Sequence, residues 1–346
     1  MSVPEAVTAV APVRIADLGG WTDTWFSSHG VVCSVAVQPG ARVTVEMGGR
    51  GDDVTVVASN FGNRYSLRSG RGTHPLLEAA IDEVGVPPGR DVTVTVASTV
   101  PAGASTGTSA AVTVALVGAL EALRRGGKSP DPAAVAATAH RIETLRLGRQ
   151  CGIQDQLASA HGGVNRIDMT SYPEAVVTPI PLEDEVRTEL ERRLLLVFLG
   201  RPHVSSAMHE AVIASLTGAD ASVVDRQLEP LRAAALAGAA ALSAGDLEAY
   251  GAALVANTEA QRRLHDGLVS GEVRRLFEAA SAAGASGWKV NGAGGEGGSV
   301  TILCGPGPTS CEDVVGAVMA VGRSFVVIPT TIDVDGLRVS PSGGTG

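Results

Sequence analysis

The chain has 346 residues and a formal net charge of −9, with 27 Lys and Arg against 36 Asp and Glu. This acidic balance, without a long run of Lys or Arg, argues against nucleic acid or an anionic membrane as the main partner. The sequence has no apolar run of membrane-spanning length and no basic signal-peptide region at its start, so we expect a cytoplasmic protein.

The first predicted elements are strands. Residues 31–58 alternate apolar and polar side chains and are interrupted by Pro-Gly and Gly-Gly-Arg-Gly, a pattern typical of antiparallel strands. HPLLEAAIDEVG (74–85) predicts a helix, and DVTVTVAST (91–99) predicts a further strand of period two.

Three predicted helices follow. The first begins near Thr106, reads TGTSAAVTVALVGALEALRRGG and is apolar on nearly all sides, so we expect it in the middle of a domain. It ends at the glycine pair 126–127. DPAAVAATAHRIETLRLG (131–148) and GIQDQLASAHGG (152–163) predict two more helices.

The second half opens with the predicted buried strand LLLVFLG (194–200) and continues with Ala-rich helices over about 205–283. Strands are then predicted at WKVN and SVTILC, followed by a helix and by strands at FVVIP and TIDVD. This order predicts an α+β fold in both of two domains, which we expect at 1–180 and 181–346. We expect the terminal PSGGTG to be loose.

The stretch PAGASTGTSAAVTVAL (101–116) has two interpretations. Gly103, Ser105 and Gly107 match G-x-S-x-G, the turn that presents the serine nucleophile of a hydrolase. Alternatively, glycines and hydroxyls at the start of a helix form a cradle for phosphate. The preceding strand alternates, whereas a hydrolase elbow follows a strand buried on both faces, and the number of hydroxyls exceeds what capping needs, so the phosphate cradle is favoured.

Two other glycine patterns are set aside. Gly-Lys-Ser at 127–129 closes a helix instead of opening one and lacks the first glycine of a P-loop. Gly292, Gly294 and Gly297 spell G-x-G-x-x-G, but the strand SVTILC follows, whereas a dinucleotide fingerprint opens a helix.

Three segments in order resemble the motifs of the GHMP small-molecule kinases: APVRIADLGGWTDT (11–24), PAGASTGTSAA (101–111) and KVNGAGGEGGS (289–299). A fourth, CGIQDQLAS (151–159), is similar to the catalytic-aspartate segment of the sugar-kinase branch. The wording GGWTDT is most similar to L-fucokinase and the heptose 7-phosphate kinases, and somewhat less so to galactokinase. The resemblance implies a two-domain fold with a mostly antiparallel N-terminal sheet and a ferredoxin-like C-terminal domain.

The resemblance also implies roles for individual residues. Asp155 would take the proton of the acceptor hydroxyl, and Arg14 beside it would stabilise charge on the transferring phosphoryl group. Ser109 and Glu143 would hold Mg²⁺, and Asp23 would bind sugar hydroxyls. The other substrate-binding residues that we expect in the first motif are Asp17, Gly20, Trp21 and Thr22. We also expect Arg201 to bind substrate, because it directly follows a predicted strand, together with His203 and Ser205. The ATP-binding residues that we expect are Pro101, Gly103, Ser105, Thr106, Gly107, Thr108, Ser109, Gly294 and Gly295.

These observations predict an ATP- and Mg²⁺-dependent kinase that phosphorylates a hydroxyl, by resemblance the anomeric one, of a hexose, a deoxyhexose or a heptose 7-phosphate. Its partner would be this small molecule, and the chain would act as a monomer or a homodimer. Glu296 departs from an otherwise glycine-rich loop and would repel ATP phosphates unless it points away. A kinase for another polyol, a non-catalytic sugar or ATP sensor, and a hydrolase using Ser105 stay open as alternatives.

Overall fold

The computed structural model describes residues 4–203 and 207–342. Its strands are β1 (Ala6–Leu18), β2 (Gly30–Arg50), β3 (Val54–Ala58), β4 (Asn63–Ser66), β5 (Arg90–Ser98), β6 (Val164–Ser171), β7 (Glu174–Pro179), β8 (Leu194–Phe198), β9 (Gly287–Val290), β10 (Ser299–Leu303), β11 (Val326–Ile328), β12 (Thr331–Ile332) and β13 (Arg338–Ser342). Its α-helices are α1 (Leu67–Gly70), α2 (Pro75–Val84), α3 (Thr108–Arg124), α4 (Pro132–Arg141), α5 (Gln154–His161), α6 (Asp184–Arg193), α7 (Ala207–Thr217), α8 (Ala221–Ser243), α9 (Leu247–Leu264), α10 (Gly271–Ala282) and α11 (Ser310–Val321). None of the helices in these ranges combines the length and apolar character needed to cross a bilayer.

A nine-stranded sheet contains the N-terminal strands. Its main order is β13-β1-β2-β5-β3-β4, with β6 and β12 also paired to β2 and β7 paired to β6. The long strand β2 connects two parts of this sheet, because residues 30–35 pair with β6 and residues 41–50 pair with β5. The pairing is antiparallel except between β3 and β5, which are parallel. Strand β3, within the predicted antiparallel region 31–58, is antiparallel to β4 but parallel to β5, and this later strand separates it from β2.

Helix α3 lies against β1 and β2 at the centre of this layer. The seven consecutive residues Val114–Leu120 are all buried, so the middle of the helix is buried on all sides as its apolar sequence predicts. The helix begins directly after the glycine- and hydroxyl-rich loop, and its burial fixes the position of that loop.

A second sheet of four strands has the order β11-β8-β10-β9, with all pairs antiparallel. Along the chain, β8 is followed by helices, by β9 and β10, by α11 and by β11. This is the β-α-β-β-α-β order of ferredoxin-like domains, with the helical part expanded to α7–α10. The predicted α+β fold is confirmed.

The sequence did not predict several elements, among them β1, β6, β7, α6 and β13. Strands β12 and β13 return to the first sheet, where β13 pairs with β1, so Pro341 and Ser342 of the terminal stretch are in a strand. Residues 343–346 of that stretch lie outside the described residues. The division into two domains at residue 180 stays a proposal. Under this division, β12 and β13 would belong to the second domain in sequence, although they pair with strands of the first sheet.

Candidate active site

Arg14 of β1 and Asp155 in the first turn of α5 form an ion pair. The Arg14 Nε donates to Asp155 Oδ1 over 2.8 Å, and Arg14 NH1 donates to the Ser105 carbonyl oxygen over 2.6 Å. Burial alone would lower the pKa of Arg14, but attraction to Asp155 and Asp17 raises it, so the guanidinium stays charged. One buried cation thus joins three of the sequence motifs, with Asp155 left about one-third exposed (29%) beside it.

A second ion pair lies behind the first. The Lys289 Nζ is 3.2 Å from Asp17 Oδ1, and both side chains are buried, at 1% and 0% exposure. Asp17 also accepts the backbone N–H of Gly292 and lies 3.9 Å from Arg14 NH2. Burial would raise the pKa of Asp17, but Arg14 and Lys289 hold it below its usual value. Asp17 therefore connects the end of β1 to the third motif.

Asp23 is a buried carboxylate whose two oxygens are in different environments. Its Oδ2 accepts the backbone N–H groups of Ile153 and Gln154 at 2.9 and 3.0 Å, while Oδ1 has only the Gln154 side-chain amide, at 3.5 Å. Burial, and to a lesser degree Asp155, raises the pKa of Asp23 to about 6. The Oδ1 atom retains capacity to accept a hydrogen bond from a ligand.

The loop before α3 has the backbone of a phosphate cradle. Gly103, Ser105 and Gly107 have φ values of 73°, 59° and 70°, in the left-handed region. Gly107 is the N-cap of α3, and no side chain caps this helix end. Among the described residues, no loop hydroxyl accepts an N–H from the first turn of α3, so these N–H groups suit an anion.

The other members of this loop support its shape. Pro101 starts the turn by accepting the N–H of Ala104, and the Thr106 carbonyl accepts the N–H of Arg14. The buried Thr106 hydroxyl lies 3.2 Å from that of Thr108. These contacts hold the loop against β1.

The third motif packs on this loop from the second sheet. The Ser299 hydroxyl donates to the Ala104 carbonyl, and the Asn291 side chain accepts the N–H of Ala16 at 3.1 Å. A Cβ atom at Gly298 would lie 2.5 Å from the Ser105 hydroxyl. The φ of 75° at Gly298 also favours glycine there, so this position suits the close approach of the two loops.

Gly294 and Gly295 face a different neighbour. A Cβ at Gly294 would lie 2.4 Å from the Leu268 carbonyl, which also accepts the N–H of Gly295 at 2.8 Å. These two glycines pack against residues 268–269, while Gly292 and Gly298 meet Ser105 of the loop before α3, so the contact of Gly294 and Gly295 with ATP stays a prediction. Glu296 between them is exposed, so water screens its charge.

Glu143 is buried on a π-helical turn, Ile142–Arg146, that follows α4. Its Oε1 accepts the Gln156 amide at 3.0 Å, and its Oε2 pairs with Arg149 at 3.1 Å. Burial raises the pKa of Glu143 above its ordinary value. Ser109, its expected companion, is exposed on the first turn of α3.

Two cavities adjoin these residues. The Asp155 cavity, of about 190 Å³, is lined by Arg14, Gly20, Trp21, Asp23, Thr24, Trp25, Phe26, Gln150, Cys151, Gly152, Gln154, Asp155, His209, Ile213, Gly292 and Ala293. The Phe61 cavity, of about 310 Å³, is largely apolar and includes Phe61, His74, Leu77 and Val96 together with Gly103, Thr108 and Ser109. The loop 103–109 therefore borders the apolar Phe61 cavity, and the Arg14–Asp155 ion pair borders the polar and aromatic Asp155 cavity.

Three predicted substrate residues, Asp17, Thr22 and Arg201, are absent from the lining of the Asp155 cavity within the described ranges. Asp17 is fully buried behind it, and the Thr22 hydroxyl is used in the turn, where it donates to the Gly19 carbonyl. Arg201 is about half exposed and pairs with Glu272 at 2.8 Å. These three side chains are held by other groups of the protein, and their role in substrate binding stays a prediction. Ser205, named with Arg201, lies outside the described residues.

The structure gives no support to a hydrolase centred on Ser105. His265 accepts the N–H of Gly267, and His209 lies in ring contact with Trp21 at 4.8 Å. In the described part of the chain, neither histidine is hydrogen-bonded to Ser105, although its positive φ resembles that of a nucleophile elbow.

Sequence reasoning missed several residues that line the Asp155 cavity. Gln154 and Cys151 lie next to the predicted Asp155, and their motif alone could have indicated them. Trp25 and Phe26 follow the GGWTDT segment directly. His209 and Ile213 come from α7, and no local signal in the helix distinguishes them.

Residues 74–163 match the family described as GHMP kinases N terminal domain. An L-arabinokinase from Arabidopsis thaliana is 34% identical over 106 residues, which span 30% of this chain and 10% of that protein. A mevalonate kinase from Methanothermobacter thermautotrophicus is 28% identical over 246 residues, 69% of this chain and 71% of its own length.

Solved structures of other small-molecule kinases share the whole fold. A D-glycero-D-manno-heptose 1-phosphate kinase from Bacteriodes thetaiotaomicron superposes with a TM-score of 0.74 at 20% identity, over 96% of this chain and 98% of that one. The family match over residues 74–163 includes the loop 103–109 and Asp155. The structural superposition covers 96% of the chain and so includes the second sheet. Residues 74–163 thus match the N-terminal domain of the GHMP kinases, and the chain as a whole has the fold of the solved kinases that it resembles.

Proposed function

We propose that the chain is an ATP-dependent sugar kinase, which transfers the γ-phosphoryl group of ATP to a hydroxyl of a monosaccharide or sugar phosphate. GHMP kinases use ATP as phosphoryl donor, and the proposal adds the sugar as acceptor. The observation that carries it is the Arg14–Asp155 pair at the wall of the small cavity, directly beside the phosphate loop. The similarity to an L-arabinokinase and the resemblance of the first motif to sugar kinases support this acceptor, whereas the mevalonate kinases suggest another.

In the proposed reaction, Asp155 accepts the proton of the attacking hydroxyl. That hydroxyl oxygen forms a bond to the γ-phosphorus while the bond from the γ-phosphorus to the bridging oxygen breaks, and ADP leaves. Arg14 orients Asp155 through the 2.8 Å contact and adds positive charge next to the transferring group. Asp155 is partly exposed, so its proton can afterwards pass to water.

We propose that the ATP phosphates lie on the loop 103–109 and the base lies in the Phe61 cavity. The left-handed glycines and the uncapped start of α3 suit an anion, and the apolar cavity next to Thr108 and Ser109 suits a nucleobase. Pro101 and Thr106 would act by shaping this loop. The Gly292 and Gly298 contacts would keep it closed from the other side.

The proposal includes Mg²⁺ held by Glu143 and Ser109. Glu143 is a buried carboxylate, and a cation beside it would offset the burial that raises its pKa, as Arg149 does in part at 3.1 Å. One carboxylate, a hydroxyl and phosphate oxygens are a usual Mg²⁺ set. Bound there, the ion would neutralise charge on the ATP phosphates.

The experiment that tests this proposal is ADP release from Mg-ATP over a panel of free sugars, sugar phosphates and mevalonate. We expect sugar-dependent ADP release well above the release with ATP alone. Release that depends on mevalonate and on no sugar would assign the chain to another acceptor. The absence of release with every compound would remove the kinase proposal.

A further inference from the structure

We infer that the Asp155 cavity takes an uncharged monosaccharide and selects against an acceptor that carries a phosphate or carboxylate group. This inference rests on the proposed kinase function, because it names the acceptor class of the same site. The sequence alone did not distinguish a free sugar from a heptose phosphate as the acceptor, and mevalonate kinases are also similar to this chain.

The charges around the cavity are the first argument. Asp23 and Asp155 contribute two carboxylates to its wall, and Arg14 is the one Lys or Arg among the described lining residues. All three nitrogen atoms of that guanidinium already face oxygen atoms, of Asp155, Ser105 and Asp17. An anionic group bound in the cavity would therefore meet two carboxylates and would lack a free cation.

His209 does not change this balance. It lines the cavity, but burial lowers its pKa, so the ring is neutral at pH 7. The nearby surface cation Arg149 is engaged by Glu143 at 3.1 Å, and Arg201 is engaged by Glu272 at 2.8 Å.

Unpartnered polar atoms are the second argument. Three residues that line the cavity carry a buried polar atom without a hydrogen-bond partner in the described structure: Trp21 Nε1, Gln154 Oε1 and His209 Nδ1. Trp21 and Gln154 are only 6% and 7% exposed. An N–H donor and a carbonyl acceptor in one small site suit hydroxyl groups, which both accept and donate, whereas an ionised phosphate or carboxylate only accepts.

The size and the walls of the cavity are the third argument. Its volume of about 190 Å³ fits a small molecule, and two of the three tryptophans of the chain, Trp21 and Trp25, line it together with Phe26. Aromatic walls pack against the apolar C–H faces of a sugar ring, while its hydroxyls reach the polar groups.

The test compares matched pairs in the wild-type enzyme. ADP release is measured with Mg-ATP and D-galactose, D-mannose, L-fucose or L-arabinose, with the terminal phosphate esters of the first two, and with mevalonate. We expect kcat/KM for the best free sugar to exceed that of any phosphate ester or mevalonate at least tenfold. A phosphate ester or mevalonate as the best acceptor would leave the kinase function standing and overturn the inference.

A variant that adds a positive charge at the cavity tests the electrostatic argument directly. Gln150 is exposed at the cavity and Gln227 is exposed on α8, so Gln150→Arg and Gln227→Arg add the same cation at and away from the site. We expect only Gln150→Arg to narrow the preference for the free sugar over its phosphate, by threefold or more. An unchanged preference in Gln150→Arg would count against the electrostatic argument.

A binding measurement distinguishes the inference about ligand class from the kinase proposal. Trp21 and Trp25 make intrinsic fluorescence a direct readout of ligands in this cavity. Quenching by a free sugar and not by its phosphate ester, without ADP release, would support the inference about ligand class and contradict the kinase proposal. Stronger quenching by the phosphate ester would overturn the inference, and neither quenching nor ADP release with any compound would overturn both.

Discussion

Lys289 and Asp17 form a fully buried ion pair, with 3.2 Å between Nζ and Oδ1, directly behind the candidate catalytic pair. Asp17 also faces Arg14, which in turn binds Asp155. Positive and negative charges thus alternate from the second sheet to the cavity. Because each buried charge depends on its neighbour for compensation, the network links stability to the geometry of the site.

We predict that Lys289→Met lowers the free energy of unfolding by about 3–5 kcal/mol, since it leaves the buried Asp17 short of its nearest cation. The double variant Lys289→Met/Asp17→Asn removes both charges and should recover part of this loss. Urea unfolding of the wild type, both single variants and the double variant measures the coupling. Additive losses would show that the two residues act independently.

Arg14→Lys should lower kcat/KM at least tenfold. A lysine has one ammonium group, which cannot keep both the Asp155 contact and the Ser105 carbonyl contact of the planar guanidinium. Arg90→Lys is a matched control, because the partly exposed Arg90 at the start of β5 also binds one carbonyl, of Gly48, and one carboxylate, of Glu5. Steady-state kinetics should show the control unchanged, and an equally active Arg14→Lys would refute the role given to the guanidinium.

Gly107→Ala tests the contact between the phosphate loop and Asp155. A Cβ at Gly107 would lie 3.2 Å from Asp155 Cγ, whereas one at Gly126, beyond the other end of α3, would meet nothing within 4 Å. Both glycines have nearly the same φ, 70° and 67°, so Gly126→Ala matches the backbone strain. We expect similar losses of stability in the two variants and a fall in kcat of at least tenfold only in Gly107→Ala. Equal kinetics in the pair would show that the contact with Asp155 has no catalytic effect.

Asp23→Asn should make the protein more stable relative to wild type as the pH rises. Burial raises the pKa of Asp23 to about 6 from 3.8, so the folded protein binds a proton that the unfolded chain has released, and this contribution is lost as the pH rises towards 6 and above. The advantage of the variant should therefore grow by about 1–1.5 kcal/mol between pH 5 and pH 8.

The control for this prediction is Asp333→Asn. Burial opposes ionisation there too, but Arg338 and Gln38 hold the pKa of Asp333 below its ordinary value, so its favourable contribution is complete throughout this pH range. Unfolding at several pH values should show a destabilised Asp333→Asn with no such growth. A constant difference for Asp23→Asn would mean that this carboxylate titrates normally.

The sequence predicted those parts of the fold that local patterns specify. The apolar helix α3 and the loop before it were identified because Gly103, Gly107 and an all-round apolar run are local signals. The place of β3 beside β5 was not, since a parallel pairing depends on contacts between distant segments.

The candidate site shows the same division. Arg14 and Asp155 were paired through motif order, and the structure brings them together. Asp17 and Thr22 lie in the same motif but face away from the cavity, because the left-handed residues Ala16 and Trp21 turn the chain at this point. The order of residues in a motif does not show which side chains face the ligand where residues with positive φ change the direction of the chain.

The central claim is that Asp155 accepts the proton of the acceptor hydroxyl. Asp155→Asn keeps the size of the side chain and removes its basicity, so ADP release with Mg-ATP and the best sugar should fall by about 10²–10⁴-fold while ATP and sugar still bind. Binding is followed separately by tryptophan fluorescence and by nucleotide titration. Turnover by Asp155→Asn within a few-fold of wild type would contradict the account.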